Sequence, residues 1–159
     1  MNIFVLDENT LSCARMHNDR HVVKMILETA QLLCSAHHST GSGAEYMYRL
    51  THANHPCAKW VRESRQNYEW LADLGLELCR EYTHRYGKVH RTQPMIERLR
   101  LDVPALPANG RTEWKMAMPD HCKLQSGTVD SYRNYYILEK SHIAKWKNRD
   151  APSWFASLN

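Results

Sequence analysis

"HNDRHVVKMILETAQ", residues 17–31, reads as helix, and the make-up of its faces is unusual. Its polar members His17, His21, Lys24, Glu28 and Gln31 are spaced four, three, four and three apart. At about 100° per residue they fall in a stripe roughly 80° wide. Val22, Val23, Met25, Ile26, Leu27 and Ala30 fill most of the remaining circumference, and Leu32, Leu33 and Cys34 continue the apolar run. A surface helix carries a broad polar face. This pattern instead predicts a helix enclosed nearly all round, with one titratable seam. Two imidazoles, an ammonium and a carboxylate in line need a reason, because burying such groups unpaired costs on the order of several kcal/mol.

Three readings of the seam stay open. It lines a cleft open to a ligand, it is a solvent-facing strip, or it is a buried network with Lys24 and Glu28 paired at i,i+4. The cleft is carried forward, since a water-shy rod with a thin ionisable seam suits an anionic ligand. His17 and His21 also have the spacing of a zinc helix. However, Asn18 stands where the Glu of that motif belongs and no third ligand is evident, so neither metal nor cofactor is expected.

Outward from this helix, "MNIFVLD" is a short apolar run, an extended strand or arm that enters the helix with Thr10 as N-cap. The first helix has a break point near Asn18-Asp19 and runs to about His38, where the turn residues "STGSGA" end it. Pro56 suits the opening turn of a second long helix. Trp60, Asn67, Trp70, Leu71, Leu74, Leu78 and Tyr82 then recur at helical spacing, and Gly87 closes the helix. "TQPMIERLRL" offers a short helix and "DVPALPANG" a proline-rich loop. A third long helix begins near Thr128 or Asp130 and runs on through "VDSYRNYYILEKSHIAKWKN", with Tyr132, Tyr136, Ile143 and Trp146 on one face and Glu139 among them. "RDAPSWF" follows as an aromatic anchor. The predicted fold is all-α: three long helices plus one or two short ones, with a packed N-terminal arm, in a single helical domain over residues 1–159.

Composition sets outer bounds. The chain of 159 residues can bury about two-thirds of its unfolded surface. With 43% hydrophobic and 24% charged residues it has the make-up of a globular domain. A net charge of +4 and a pI near 8.8 fit an anionic ligand and argue against the dense charge of a nucleic-acid coat protein. Cys13, Cys34, Cys57, Cys79 and Cys122 form no C-x-x-C pair and read as reduced thiols acting as small hydrophobes. The N-terminus has no basic leader and no apolar run reaches a spanning length, so the expectation is an intracellular chain with no membrane partner.

Ahead of the second helix, "HANHP" places His52, Asn54 and His55 where free helical N–H groups favour an anion. Lys59, Arg62 and Arg65 follow along one face, as a phosphate clamp or as a solvated charged strip. Arg133, Lys140 and Lys147 form a comparable row on the third helix, open to the same two readings. Trp60, Trp70 and Trp146 read as core, and Tyr68, Tyr86 and Tyr135 as candidates for stacking on a base.

The combination of "LDENTLSCARMHNDRHVVKMILETAQLL", "NHPCAKW" and "VDSYRNYYILEKSHIAKWKNRDAPSWF" resembles a phage-encoded family of small helical proteins. It is more distantly similar to the pyrimidine-dimer DNA glycosylases of the endonuclease V type. Asp19, Arg20, His21, Lys24 and Glu28 match that family's first helix, and Asn54, His55, Pro56 and Trp60 its N-H-P element. The resemblance implies a helical fold with the N-terminal arm threaded between the long helices. It also implies attack on C1′ of a damaged nucleotide by the α-amino group of the processed chain, with a first-helix carboxylate assisting the imine chemistry. An α-amine, with an ordinary pKa of about 8, is partly neutral and nucleophilic at neutral pH. The family's nucleophile is a small second residue freed by loss of the initiator Met. Here residue 2 is Asn, whose bulk discourages that removal, and a retained Met1 displaces the amine by one residue. Glu28 lies on the seam, whereas Asp19 points elsewhere or caps the helix.

The expectation is therefore a protein of an infected bacterial cytoplasm that binds a phosphate-bearing nucleotide or nucleic-acid ligand. His17, His21, Lys24 and Glu28 form one wall of its cleft, with Asp19 and Arg20 contributing. Asn54, His55, Arg62 and Arg65 form the other. The leading function is sequestration of a host nucleotide signal without catalysis. The alternative is a DNA glycosylase with lyase activity, using Met1 or Asn2 and Glu28, and a third is a purely structural phage component. No oligomeric state is implied.

Overall fold

The N-terminal arm organises the molecule. In a computed structural model describing residues 1–158, Ile3, Phe4, Val5 and Leu6 are all buried, although the segment forms no helix or strand. An extended segment can be buried only where its polar groups find partners. Here Leu6 accepts from Arg133 Nε at 2.9 Å, and the Cys13 thiol donates to the Phe4 carbonyl at 3.3 Å.

Among the described residues the chain forms seven α-helices and no strand. They are α1 (Thr10–Met16), α2 (Asp19–Ser39), α3 (Pro56–Glu63), α4 (Arg65–Tyr86), α5 (Gln93–Leu101), α6 (Thr128–Glu139) and α7 (Ser153–Ala156). Short 3-10 turns cover Asp120–Cys122 and Ser141–Ile143. The helix α4 is central and packs on α1, α2, α3 and α5, while α2 also packs on α3 and α5. None of the described helices is long and apolar enough to cross a membrane. The five cysteines are buried and unpaired.

The break near Asn18-Asp19 is real. Asn18 is extended, and its side chain accepts from His21 N at 2.9 Å as the α2 N-cap, an arrangement worth about 1 kcal/mol. The α1 N-cap is Asn9, one residue before Thr10. Gly87 ends α4 in the left-handed region at φ 67°, as its position predicts.

Two predicted long helices are shorter than expected. The second splits at Ser64, which is extended at φ −152° and ψ 157° and caps α4 by accepting from Asn67 N at 3.1 Å. The third ends at Glu139, only 12 residues long. Beyond it the backbone is committed elsewhere: Asp19 N donates to Lys145 O at 2.8 Å, and Trp146 Nε1 donates to Met16 O at 2.9 Å. Nor is α2 enclosed all round, since Val23 and Leu27 are exposed beside Arg20 and Lys24.

Candidate functional site

The amino end of the arm closes over one side of α2. Asn2 is anchored by its side chain. Nδ2 donates to the Ala117 carbonyl at 2.9 Å, and Oδ1 accepts from the Tyr132 hydroxyl at 2.9 Å. These bonds aim the backbone nitrogens of residues 1 and 2 at Glu28. The amide of Asn2 donates to Glu28 Oε2 at 3.1 Å, and the α-amino nitrogen of Met1 stands 3.7 Å from the same oxygen. Lys24 Nζ lies 3.4 Å from the other carboxylate oxygen, Oε1. Glu28 is thus held nearly buried between two nitrogens of the chain terminus and a solvent-exposed ammonium.

This cluster lines a cleft of about 250 Å³. Met1, Asn2 and Phe4 of the arm form one side, and His21, Lys24, Met25 and Glu28 of α2 another. Ala117, Tyr135 and Lys140 complete it. Lys140 Nζ lies 4.9 Å from the Tyr135 ring centroid, and the Tyr135 and Phe4 rings stack at 6.0 Å. The cleft therefore offers a nucleophilic amine, a carboxylate able to take protons, two ammonium groups for phosphate and an aromatic wall for a base.

The imidazoles have a different role from the one expected. Phe4 stacks on His21 at 4.2 Å with 23° between planes and meets His17 edge-on at 6.3 Å. His21 Nδ1 is hydrogen-bonded to the Tyr136 hydroxyl at 2.6 Å, and His17 Nδ1 donates to the Cys13 carbonyl at 2.7 Å. Burial is the main force lowering their pKa values, to about 4 for His17 and about 3 for His21. Both are neutral at physiological pH and cannot serve as phosphate cations. His17 lies in the α1–α2 junction behind Phe4, so of the two only His21 reaches the cleft wall.

The remaining expected ligands disperse. Asp19 accepts from Arg85 Nη1 at 3.0 Å and from Lys147 N at 2.9 Å, which makes it a structural anchor. Arg20 is exposed and off the cleft. Asn54 is exposed, and His55 caps α3 by accepting from Cys57 N at 3.1 Å. His55 nevertheless feels the site: burial and then the positive charge of the chain terminus lower its pKa, with Glu28 opposing. Arg62 and Arg65 do not form a second wall. Arg62 buries Nη1 without a hydrogen-bond partner, and Arg65 pairs with Glu69 at 3.0 Å. Of the stacking candidates, Tyr68 is fully buried in the core and Tyr86 lies away from the cleft near Lys147, leaving Tyr135.

The sequence reading missed Phe4, Tyr132 and Ala117 as parts of the site and gave Lys140 no more weight than Arg133 or Lys147. A sequence signal existed for Phe4, one of only two phenylalanines and set in an apolar arm. The wall contributed by Ala117 lies in a segment without periodicity.

A family model described as pyrimidine dimer DNA glycosylase matches residues 1–95. The matched span holds the arm, Lys24, Glu28 and His55 and ends inside α5, so Tyr135 and Lys140 fall outside it. No curated protein and no solved structure matches the chain.

Proposed function

The chain belongs to the pyrimidine dimer DNA glycosylase family, and from that premise we propose that the cleft at Glu28 excises a damaged or modified pyrimidine through the α-amino group of the arm. The observation carrying this reading is the pairing of the terminal nitrogens with one carboxylate in an open cleft, at 3.1 Å for Asn2 N and 3.7 Å for Met1 N. With Met1 removed, the nitrogen nearest Glu28 becomes the amine. With Met1 retained, the amine is still in reach. The bulk of Asn2 is then no obstacle, because its side chain is the anchor that aims the backbone.

In this reaction the neutral amine attacks C1′, forming a C–N bond as the glycosidic bond breaks and the base departs with a proton. Sugar ring opening gives the imine. Glu28 stabilises the cationic sugar, and as a base it takes the C2′ proton during elimination of the 3′ phosphate. Lys24 and Lys140 neutralise flanking phosphates, and Tyr135 offers an apolar face.

Sequestration of a free nucleotide draws less support, because the two arginines it needs lie off the cleft. The test is borohydride trapping on duplexes containing a pyrimidine dimer or an abasic site, with intact mass identifying residue 1 or 2 as the attachment point. The expected result is a covalent adduct that an added N-terminal dipeptide abolishes, with Glu28→Gln losing strand cleavage by about two orders of magnitude or more. Absence of any adduct, alongside saturable binding of free nucleotides, would return the function to sequestration.

A further inference from the structure

His121, Cys122 and Glu139 lie together at the C-terminal end of α6. A 3-10 turn supplies His121 and Cys122, and the last residue of α6 supplies Glu139. One ligand atom from each comes within 4.8 Å of the others. His121 Nε2 and Glu139 Oε1 are 2.7 Å apart, both side chains open to solvent, while Cys122 is buried beneath them. The turn is fixed before any ligand arrives: Asn134 Nδ2 donates to the Cys122 carbonyl at 3.1 Å, and Leu124 N donates to Ser131 Oγ at 2.9 Å. Both partners sit on α6, so the two ligand-bearing elements are already joined. Neither the seam nor the arm uses these residues.

We propose that His121, Cys122 and Glu139 form a binding site for a divalent transition-metal ion of the zinc type. The donor set is one imidazole nitrogen, one thiolate sulfur and one carboxylate oxygen, the mixture that zinc accepts, with water as fourth ligand. With bonds of about 2.0–2.3 Å, tetrahedral zinc holds neighbouring ligand atoms about 3.3–3.8 Å apart, which the observed cluster reaches by small side-chain rotations. The ion takes the lone pair of His121 Nε2, with the neutral ring carrying its proton on Nδ1, and the Cys122 thiol proton is released to solvent. The exposed imidazole and carboxylate provide the entry path, and the buried sulfur closes the floor. The ion would tie the turn to the end of α6, next to Lys140 and a few residues beyond the Ala117 carbonyl that holds Asn2.

The test uses the full-length protein stripped of metal with a chelator and dialysed, then titrated with zinc and cobalt(II) salts. The expected result is one equivalent bound, with a near-ultraviolet thiolate-to-cobalt charge-transfer band and a raised thermal midpoint. His121→Ala and Glu139→Gln alter exposed side chains, and each should weaken binding by about tenfold or more. Cys122→Ser should remove the charge-transfer band even where residual binding persists. The other four cysteines are buried apart from this site, so a band that survives Cys122→Ser overturns the proposal. So does wild-type protein that takes up no cobalt, or binding unchanged in both His121→Ala and Glu139→Gln.

Discussion

Asn2 and the imidazoles beneath Phe4 explain why an apolar helix keeps a polar seam: it is the bed on which the arm lies. The Asn2 side chain joins the arm to the Ala117 carbonyl and the Tyr132 hydroxyl. Asn2→Ala leaves the Ala117 carbonyl without its donor, while the Tyr132 hydroxyl keeps the Lys115 carbonyl at 2.8 Å, and should cost about 1–3 kcal/mol, read by urea unfolding. It should also lower imine yield, because Glu28 no longer faces a fixed nitrogen. An unchanged yield would detach the anchor from the chemistry. His17 and His21 make a separate prediction. Their folded pKa values of about 4 and about 3 lie below the ordinary 6.5, so the unfolded chain binds more protons throughout that interval. Stability is fully present above pH 6.5 and declines as pH falls toward 4, by up to about 1.4 kcal/mol per pH unit for each histidine. Unfolding midpoints measured from pH 7 to 4.5 should show this slope, and His17→Gln combined with His21→Gln should flatten it. A pH-independent midpoint in the wild type would mean the imidazoles are not held neutral.

At the scale of elements, periodicity exposed what is local and missed what is tertiary. The α2 seam and the break at Asn18 were legible because spacing and a capping side chain are properties of neighbouring residues. The split at Ser64 was not: Trp60, Asn67, Leu71 and Leu74 keep the apolar phase across it, and the cap forms within an unbroken pattern. The end of α6 was hidden for another reason, since partners near Met16 and Asp19 capture the chain beyond it. Likewise, Glu28 and Lys24 could be placed on one helix face, but whether Arg62 and Arg65 turn toward that face depends on how α3 sits against α2. Gly75 marks a close approach of α4 to its neighbours α2 and α5. A Cβ there would meet Thr29 Cγ2 at 2.8 Å and Ile96 Cγ2 at 3.1 Å, joining α2, α4 and α5. Both neighbours are buried and β-branched, so neither yields readily. Gly75→Ala gains about 1 kcal/mol of helix propensity but incurs about 1–3 kcal/mol of overpacking. A net loss in thermal midpoint is expected, relieved when Thr29→Ser removes the obstructing methyl. A stabilised single variant would show that α2 and α4 are free to move apart.

Across the whole molecule, one buried ionic knot ties the segments that pattern could not connect. Arg85 is almost completely buried on α4. Its Nε donates to Glu81 Oε1 at 2.8 Å, Nη1 to Asp19 Oδ1 at 3.0 Å and Nη2 to the Arg15 carbonyl at 3.0 Å. Arg149 reaches in from the C-terminal segment and donates to both oxygens of Glu81 at 2.9 Å. The knot thus holds α1, α2, α4 and the tail in one arrangement, and with them the α2 face that carries Glu28. Burial opposes the charge on Glu81, but the hydrogen bonds from Arg149 and Arg85 outweigh it and hold the carboxyl below its ordinary 4.5. A depressed carboxyl contributes stability above its unfolded value and loses it as pH falls through the folded one. The knot should therefore weaken only below about pH 4.5, beneath most of the histidine range. Removing Arg85 is more severe than titrating Glu81, because Glu81 then loses a donor in a desolvated place while Asp19 and the Arg15 carbonyl each lose one as well. Arg85→Met should cost about 3–5 kcal/mol, whereas Arg149→Ala, whose side chain is partly exposed and which leaves the Arg85–Glu81 pair intact, should cost about 1 kcal/mol. Urea unfolding of the two variants decides the matter: equal losses would mean that Arg85 is not the centre of the knot. At a temperature where Arg85→Met remains folded, imine yield per folded molecule should match the wild type, since no atom of the knot borders the cleft.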